Sequence, residues 1–355
     1  MSENFTSIND PSLLSEKNVK KHVLPKFNIN NCTVEQIKFK DTVKQRAVYK
    51  VTTLEQCFCL KKIYYSQSTL LFVYSAIEWW YRHEINVPKL LNTKSKNRYV
   101  LYRDMLFILT PWINGERCDY NNPVHLYKIA VNLGKMHKHG KKFISIDGST
   151  VNYKFDKIHI SINKHLKNLT AYSNYAFEYK DDFSKLYLKH FNLMNEIATI
   201  SSKSAASINY NNLTKTLCHG DYVNKNIIFT SDGETWVIDF DKTSIDYSMH
   251  DVGYALRRIL RRDSTNWDIE LLLKWIYVYN EYSEITVDDY KYLLSYLAFP
   301  QKYWKIARDY YTYIDKCNKP AFLSLLCKSL KSSREHYDFV ISFKAYIEYK
   351  FNILL

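Results

Sequence analysis

Glycine is scarce in this chain: there are seven in 355 residues, and the first is Gly115. No Gly-rich loop therefore precedes residue 115, and close backbone approach to a phosphate is harder in that stretch. The seven cysteines include no CxxC pair, so neither a metal quartet nor a disulfide framework is legible. Cys57 and Cys59 alternate along an expected strand and share one face. Reduced thiols in a cytosol-like compartment are the expectation. Charged residues interrupt every apolar run well short of the roughly 18 residues that a membrane span needs. No apolar segment follows Met1-Ser2-Glu3-Asn4, so a secretory signal is not expected, and the chain reads as soluble and made inside a cell.

Base is what the chain has in excess. Fifty Lys and Arg against 36 Asp and Glu leave a formal charge of +14, which fits an anionic partner such as a nucleotide, nucleic acid, acidic polymer or membrane surface. The lysines are scattered rather than gathered in a tract, which argues against nucleic acid. A composition 46% hydrophobic and 24% charged is that of a folded protein and excludes wholesale disorder. At this length two lobes are expected.

The pattern along the chain is α+β. Residues 1–30 are polar and read as an arm or an early helix. Strand-like alternation covers 34–39, 47–51 and 57–60, and a helix is expected over Ser68–His83. Strands follow at 98–101 and 105–109. The stretch Thr110-Pro111-Trp112-Ile113-Asn114-Gly115 is a connector punctuated by Pro and Gly. Beyond it the periodicity turns helical, beginning with Leu126, Ile129, Ala130, Leu133 and Met136 on one face. The exception is 217–240, which reads as loop and hairpin.

That exception carries the chemistry. Two apolar runs flank Ser231-Asp232-Gly233-Glu234, and Asp-Gly is a strong hairpin signal. With Asp232 and Gly233 as the central turn residues, Asn226 falls opposite Asp239, with Cβ atoms about 5 Å apart. Oxygen donors at that spacing, with phosphate oxygens, suit Mg²⁺. Asp221 lies five residues before Asn226. This is the kinase catalytic-loop spacing, in which the Asp takes the proton of the acceptor hydroxyl and the Asn binds magnesium.

His219-Gly220-Asp221, Asn226 and Ile238-Asp239-Phe240 resemble the motif of aminoglycoside and choline phosphotransferases. The resemblance implies a bilobal protein-kinase-like fold, with a small β-rich nucleotide-binding lobe over 1–113 and a larger, mainly helical lobe over 114–355. It implies ATP and Mg²⁺ as cofactors, a hydroxyl-bearing acceptor, Asp221 as base, and Asn226 and Asp239 as metal ligands. His219 is expected to tie down the loop rather than act as acid or base. Lys61, with Lys62 as the alternative, is expected on the ATP phosphates, since a one-residue slip exchanges their faces. Glu78 on the following helix is a candidate partner for that lysine, although it sits about one turn later than in related sequences; a surface role is the alternative. The backbone of Thr110 to Trp112 is expected to hold the adenine. Lys44 or Arg46 can supply charge where the glycine loop is missing.

Downstream, Val252, Ala255, Leu256, Ile259 and Leu260 form a helical stripe beside Arg257, Arg258, Arg261 and Arg262. The arginines either bind an anionic substrate or partner or form a solvated face. Asp251, near the helix start, can cap free amides or brace the catalytic loop. Cys59-Leu60-Lys61-Lys62, Leu71 to Glu78, Leu109 to Gly115, the arginine-rich helix and Tyr296 to Trp304 resemble the CotS-type spore coat proteins. That resemblance covers about residues 25–350. It implies an endospore-forming bacterium, synthesis in the mother cell, deposition in the spore coat, and other coat proteins as partners. Two functions are open at this point. One is a working phosphotransferase, favoured by the retained Asp221, Asn226 and Asp239. The other is a structural coat component on the same fold, in which the 31 tyrosines serve assembly and cross-linking instead of simply filling helical cores.

Overall fold

A computed structural model describes residues 11–40 and 45–355. Helix α1 (Glu16–His22) leads into strands β1 (Thr33–Lys40), β2 (Arg46–Thr52) and β3 (Cys57–Ile63). Helix α2 (Gln67–Arg82) and strands β4 (Val100–Tyr102) and β5 (Met105–Pro111) follow. The five strands form one antiparallel sheet in the order β1-β2-β3-β5-β4. Alternation decides which face is buried: along β2, Ala47, Tyr49 and Val51 point into the core. Ser66 caps α2 by accepting from the Thr69 amide at 3.2 Å. The helix buries Leu70, Val73, Ala76, Ile77 and Trp80, recurring at helical spacing.

A short strand, β6 (Glu116–Arg117), precedes helices α3 (Pro123–Gly140), α4 (Ile158–Tyr179) and α5 (Asp182–Ala206). Then come β7 (Lys215–Cys218), β8 (Ile227–Phe229), β9 (Thr235–Val237) and β10 (Ser244–Tyr247). Six helices complete the chain: α6 (Ser248–Leu260), α7 (Ile269–Asn280), α8 (Val287–Ala298), α9 (Gln301–Thr312), α10 (Lys319–Leu330) and α11 (Ser333–Phe351).

The chain divides into two compact units. One holds the residues up to Cys118 together with 142–152 and 224–243; the other holds 119–141, 153–223 and 244–355. This division differs from a single cut after residue 113. Strand pairing explains it: β6 pairs with β8, joining Glu116 to Phe229 and Arg117 to Ile228. The Val237 amide also donates to the Asn86 carbonyl at 3.0 Å, and Phe240 packs on Trp80 with ring centroids 5.4 Å apart. The β8–β9 hairpin thereby belongs to the first unit, in a separate three-stranded sheet with β6. In the second unit α4 lies along α5, and α5 packs on α8. No helix among the described residues is long and apolar enough to cross a membrane.

The hairpin register differs from the expectation by one residue. Ile227 pairs with Val237 and Phe229 with Thr235, so the turn is centred on Asp232 alone. Five residues, Thr230 to Glu234, make the connection. Asp232 accepts from the Thr230 hydroxyl and from the Glu234 amide, and the Gly233 amide donates to the Thr230 carbonyl at 2.9 Å. The self-bonding of the aspartate favours this longer loop over a two-residue turn. Asn226 consequently lies opposite Ile238, whose amide donates to the Asn226 carbonyl at 2.9 Å.

Candidate functional site

The first unit contains a cleft of about 460 Å³. Ile37, Ala47, Ile108, Ile228 and Ile238 give it apolar walls, and Lys61, Asn226, Asp239 and Asp241 are among its charged and amide groups. A one-residue register slip within a regular ladder would send Asn226 and Asp239 to opposite faces. Neither residue lies in the ladder. Asn226 closes a 3₁₀ turn (Asn224–Asn226), and Asp239 has a left-handed backbone at φ 68°. Both consequently line the same cleft. A non-glycine residue in that conformation costs about 1–3 kcal/mol and is found where a side chain must be aimed.

Lys61 Nζ lies 2.5 Å from Asp239 and 2.7 Å from Asp241. Burial pulls its pKa down, but the two carboxylates outweigh this and hold the ammonium above its ordinary value. Lys62 turns instead to the Gln45 carbonyl, at 2.9 Å. The Lys61–Glu78 ion pair considered from the sequence is not formed. Glu78 is half-buried, and its Oε1 has no hydrogen-bond partner among the described residues. Its later position on α2 leaves the nearer aspartates to take the lysine. Arg46 stacks on Tyr64, 4.0 Å from the ring centre, and reaches the cleft, whereas Lys44 lies outside the described residues. Thr110 pairs with Cys59 across β3 and β5. Burial pushes the Cys59 thiol up to about 11, so it lines the cleft as an apolar group.

The connector after β5 departs from expectation at one amide. The Trp112 N–H donates to the Cys57 carbonyl at 3.0 Å, which extends the sheet by one bond and removes that donor from any ligand. The next two residues, Ile113 and Asn114, line the cleft with no partner for their amides among the described residues. The strand bond to Cys57 is not visible in the sequence pattern. Asp241, two residues after Asp239, is a further carboxylate on the cleft that the sequence pattern does not single out.

The second unit carries the catalytic-type loop. Gly220 has φ 74°, a conformation that disfavours a side chain, and this explains the glycine between His219 and Asp221. Asp251, on the first turn of α6, accepts from the His219 amide at 2.6 Å and the Gly220 amide at 2.8 Å. His137 lies 3.4 Å from the same carboxylate. Burial works against the charge of Asp251, but the bond and charge of His137 and the neighbouring histidines keep its pKa below the usual carboxylate value. His219 is fully buried, and its Nδ1 accepts from the Asp221 amide at 3.1 Å. It braces the loop, as expected. Asp221 is 5% exposed, and its Oδ1 accepts from the Tyr254 hydroxyl at 3.1 Å, a partner that sequence alone did not indicate. The α6 stripe of Val252, Ala255, Leu256, Ile259 and Leu260 is buried as its spacing requires.

The donor set of the first unit suits a hard divalent cation. Two carboxylates and an amide oxygen are the ligands Mg²⁺ takes, and the carboxylates already converge on one positive charge.

Comparison with known proteins follows the same lines. Spore coat protein S of Bacillus subtilis is 21% identical over 284 residues, spanning 78% of this chain and 81% of that protein. An aminoglycoside phosphotransferase of Alicyclobacillus acidocaldarius superposes with a TM-score of 0.76 at 17% identity, covering 93% of this chain and 96% of the other. A spectinomycin phosphotransferase, solved with ADP and spectinomycin, gives 0.62 at 14% identity over 93% and 98%. An amicoumacin kinase, solved with AMP-PNP and Ca²⁺, gives 0.59 at 13% identity over 95% and 96%. At such identities these structures speak for the fold alone, which is kinase-like, with a small antiparallel sheet and a larger helical part. Residues 39–285, well over half of the chain, match the phosphotransferase enzyme family, and the protein belongs to that family.

Proposed function

We propose that the protein transfers the γ-phosphate of ATP to a hydroxyl acceptor. The observation that carries this reading is the convergence of Lys61 on Asp239 and Asp241 in an apolar cleft that also presents Asn226. The apolar walls accept a flat base, and the amides of Ile113 and Asn114 are the donors left for its edge. Asn226 and Asp239 would hold Mg²⁺, which when bound neutralises charge on the β- and γ-phosphates. With those oxygens engaged, Lys61 would turn its ammonium to the phosphates.

The acceptor oxygen attacks Pγ, the bond from Pγ to the β–γ bridging oxygen breaks, and ADP leaves with the electron pair. The acceptor proton passes to Asp221, whose carboxylate the Tyr254 hydroxyl holds in one rotation. Catalysis on this plan is positioning and charge neutralisation. The likeness to spore coat protein S supports a place in the spore coat, among other coat proteins, after synthesis in the mother cell. It equally supports the second reading, a coat-building component with little turnover.

ADP release from MgATP, measured with a panel of hydroxyl acceptors, separates the two. We expect Asp221→Asn to lower turnover at least 100-fold, the scale of a lost general base, while MgATP still binds. Equal rates in wild type and variant would remove Asp221 from the chemistry.

A further inference from the structure

The second unit contains a cavity of about 540 Å³, within the range that encloses a small-molecule ligand. Its charge is lopsided. Lys154, Arg257, Arg258 and Arg261 line it against Asp156 and Asp246, and Asp246 is already held by His250 Nδ1 at 2.6 Å and the Tyr247 amide at 2.7 Å. None of the three arginines has a carboxylate partner among the described residues. Arg257 stacks on Tyr296 with its guanidinium carbon 3.9 Å from the ring centre, and its Nε is buried without a hydrogen-bond acceptor among the described residues. Arg258 stacks on Tyr254 at 3.5 Å and donates to that residue's carbonyl at 3.0 Å. Arg262 turns away to Asn121, at 2.8 Å, so the cluster divides into three arginines on the cavity and one outside it.

Guanidinium groups stay protonated, and a buried donor without an acceptor is costly. Stacking fixes the planes of Arg257 and Arg258 before any ligand arrives, which is how arginine presents a fork to a phosphate or carboxylate. Tyr254 links this wall to the catalytic loop. It lines the cavity, carries Arg258 on its ring, and donates its hydroxyl to Asp221.

We infer that this cavity holds the acceptor and that the acceptor is a small anion bearing a hydroxyl, a phosphorylated or carboxylated polyol, with its anionic group on Arg257 and Arg261. The inference rests on the phosphotransfer reading for the word acceptor, and on the cavity alone for the word anion. The transferred phosphoryl group goes to the ligand's hydroxyl and the proton to Asp221, as above. An amine-rich acceptor, such as an aminoglycoside, would meet guanidinium repulsion in the same place.

Calorimetric titration of the full chain with glucose 6-phosphate, gluconate, glucose and glucosamine tests this, repeated on Arg257→Gln and on Arg261→Gln. Arg261 is exposed, so its variant folds even if loss of the stacked Arg257 does not allow folding. We expect at least one of the two anions to bind, with glucose and glucosamine at least tenfold weaker, and each substitution to weaken the anion at least tenfold. Binding of glucosamine or glucose as tight as that of the anions, no binding of either anion at millimolar concentration, or unchanged anion affinity in Arg261→Gln would overturn the inference. MgATP titrated into the same wild-type protein separates the two proposals. Anion binding without MgATP binding removes the phosphotransfer reading and leaves the anion cavity. MgATP binding without anion binding does the reverse.

Discussion

At the scale of single residues, Asp251 shows how one carboxylate can organise a loop. It accepts two consecutive amides, from the buried His219 and the half-buried Gly220. Its position at the start of a helix, 30 residues beyond Asp221, made a bracing role legible in the sequence. The bond from Tyr254 to Asp221 was not legible, because Tyr254 is one of 31 tyrosines and nothing local distinguishes it. Replacing Asp251 with Ala leaves buried donors unpaired. We expect the variant to lose about 3 kcal/mol of stability in urea unfolding, with turnover falling further than MgATP affinity. A loss under about 1 kcal/mol would mean that the loop amides find other acceptors.

At the scale of elements, the hairpin is instructive because its existence was legible and its register was not. Asp232-Gly233 marked the turn, but the bond from the Thr230 hydroxyl to Asp232 lengthens the loop and shifts the pairing by one. The two oxygen-bearing side chains still meet in one cleft, through the 3₁₀ turn at Asn226 and the left-handed backbone at Asp239. Both features are irregular, and periodicity does not register them.

Helix α11 carries a different consequence. His336 is buried, stacks on Trp267 at 3.8 Å, and makes a 2.9 Å bond from Nε2 to the Leu297 carbonyl. Burial, with Arg257 and Arg261 nearby, takes its pKa down to about 3 against the opposing effect of that bond. The unfolded chain binds a proton at this histidine below about pH 6.5, while the folded chain refuses it until about pH 3. Its contribution is therefore complete above about pH 6.5 and is lost as pH falls, by about 1.4 kcal/mol per unit. In urea unfolding at pH 6.5, 5.5 and 4.5, His336→Gln should show a shallower acid decline than wild type. Parallel declines would contradict the buried neutral histidine.

At the scale of the whole molecule, the formal charge of +14 fits an anionic partner without saying where one would sit. The structure distributes the basic groups: Lys61 among aspartates in one unit, and three arginines on a cavity in the other. The arginine cluster stood out in the sequence, but its cavity did not. The walls come from α4, α6 and α8, brought together across more than 100 residues, and local pattern carries no information about that meeting. Eleven of the 31 tyrosines are buried, so core filling accounts for a third of them and leaves the rest partly or fully exposed. The fold class was legible because the strands, the helix between them and the catalytic-loop spacing are all local signals.

Asp239 and Asn226 are proposed to make a magnesium-dependent nucleotide site, and calorimetric titration of MgATP into wild type and Asp239→Asn is the decisive measurement. Asn keeps the size of the side chain and tolerates the left-handed backbone, so charge is the main change. We expect saturable binding to the wild type that is abolished by EDTA and weakened at least tenfold in Asp239→Asn. Binding that is equal in the two proteins, or indifferent to EDTA, would contradict the account.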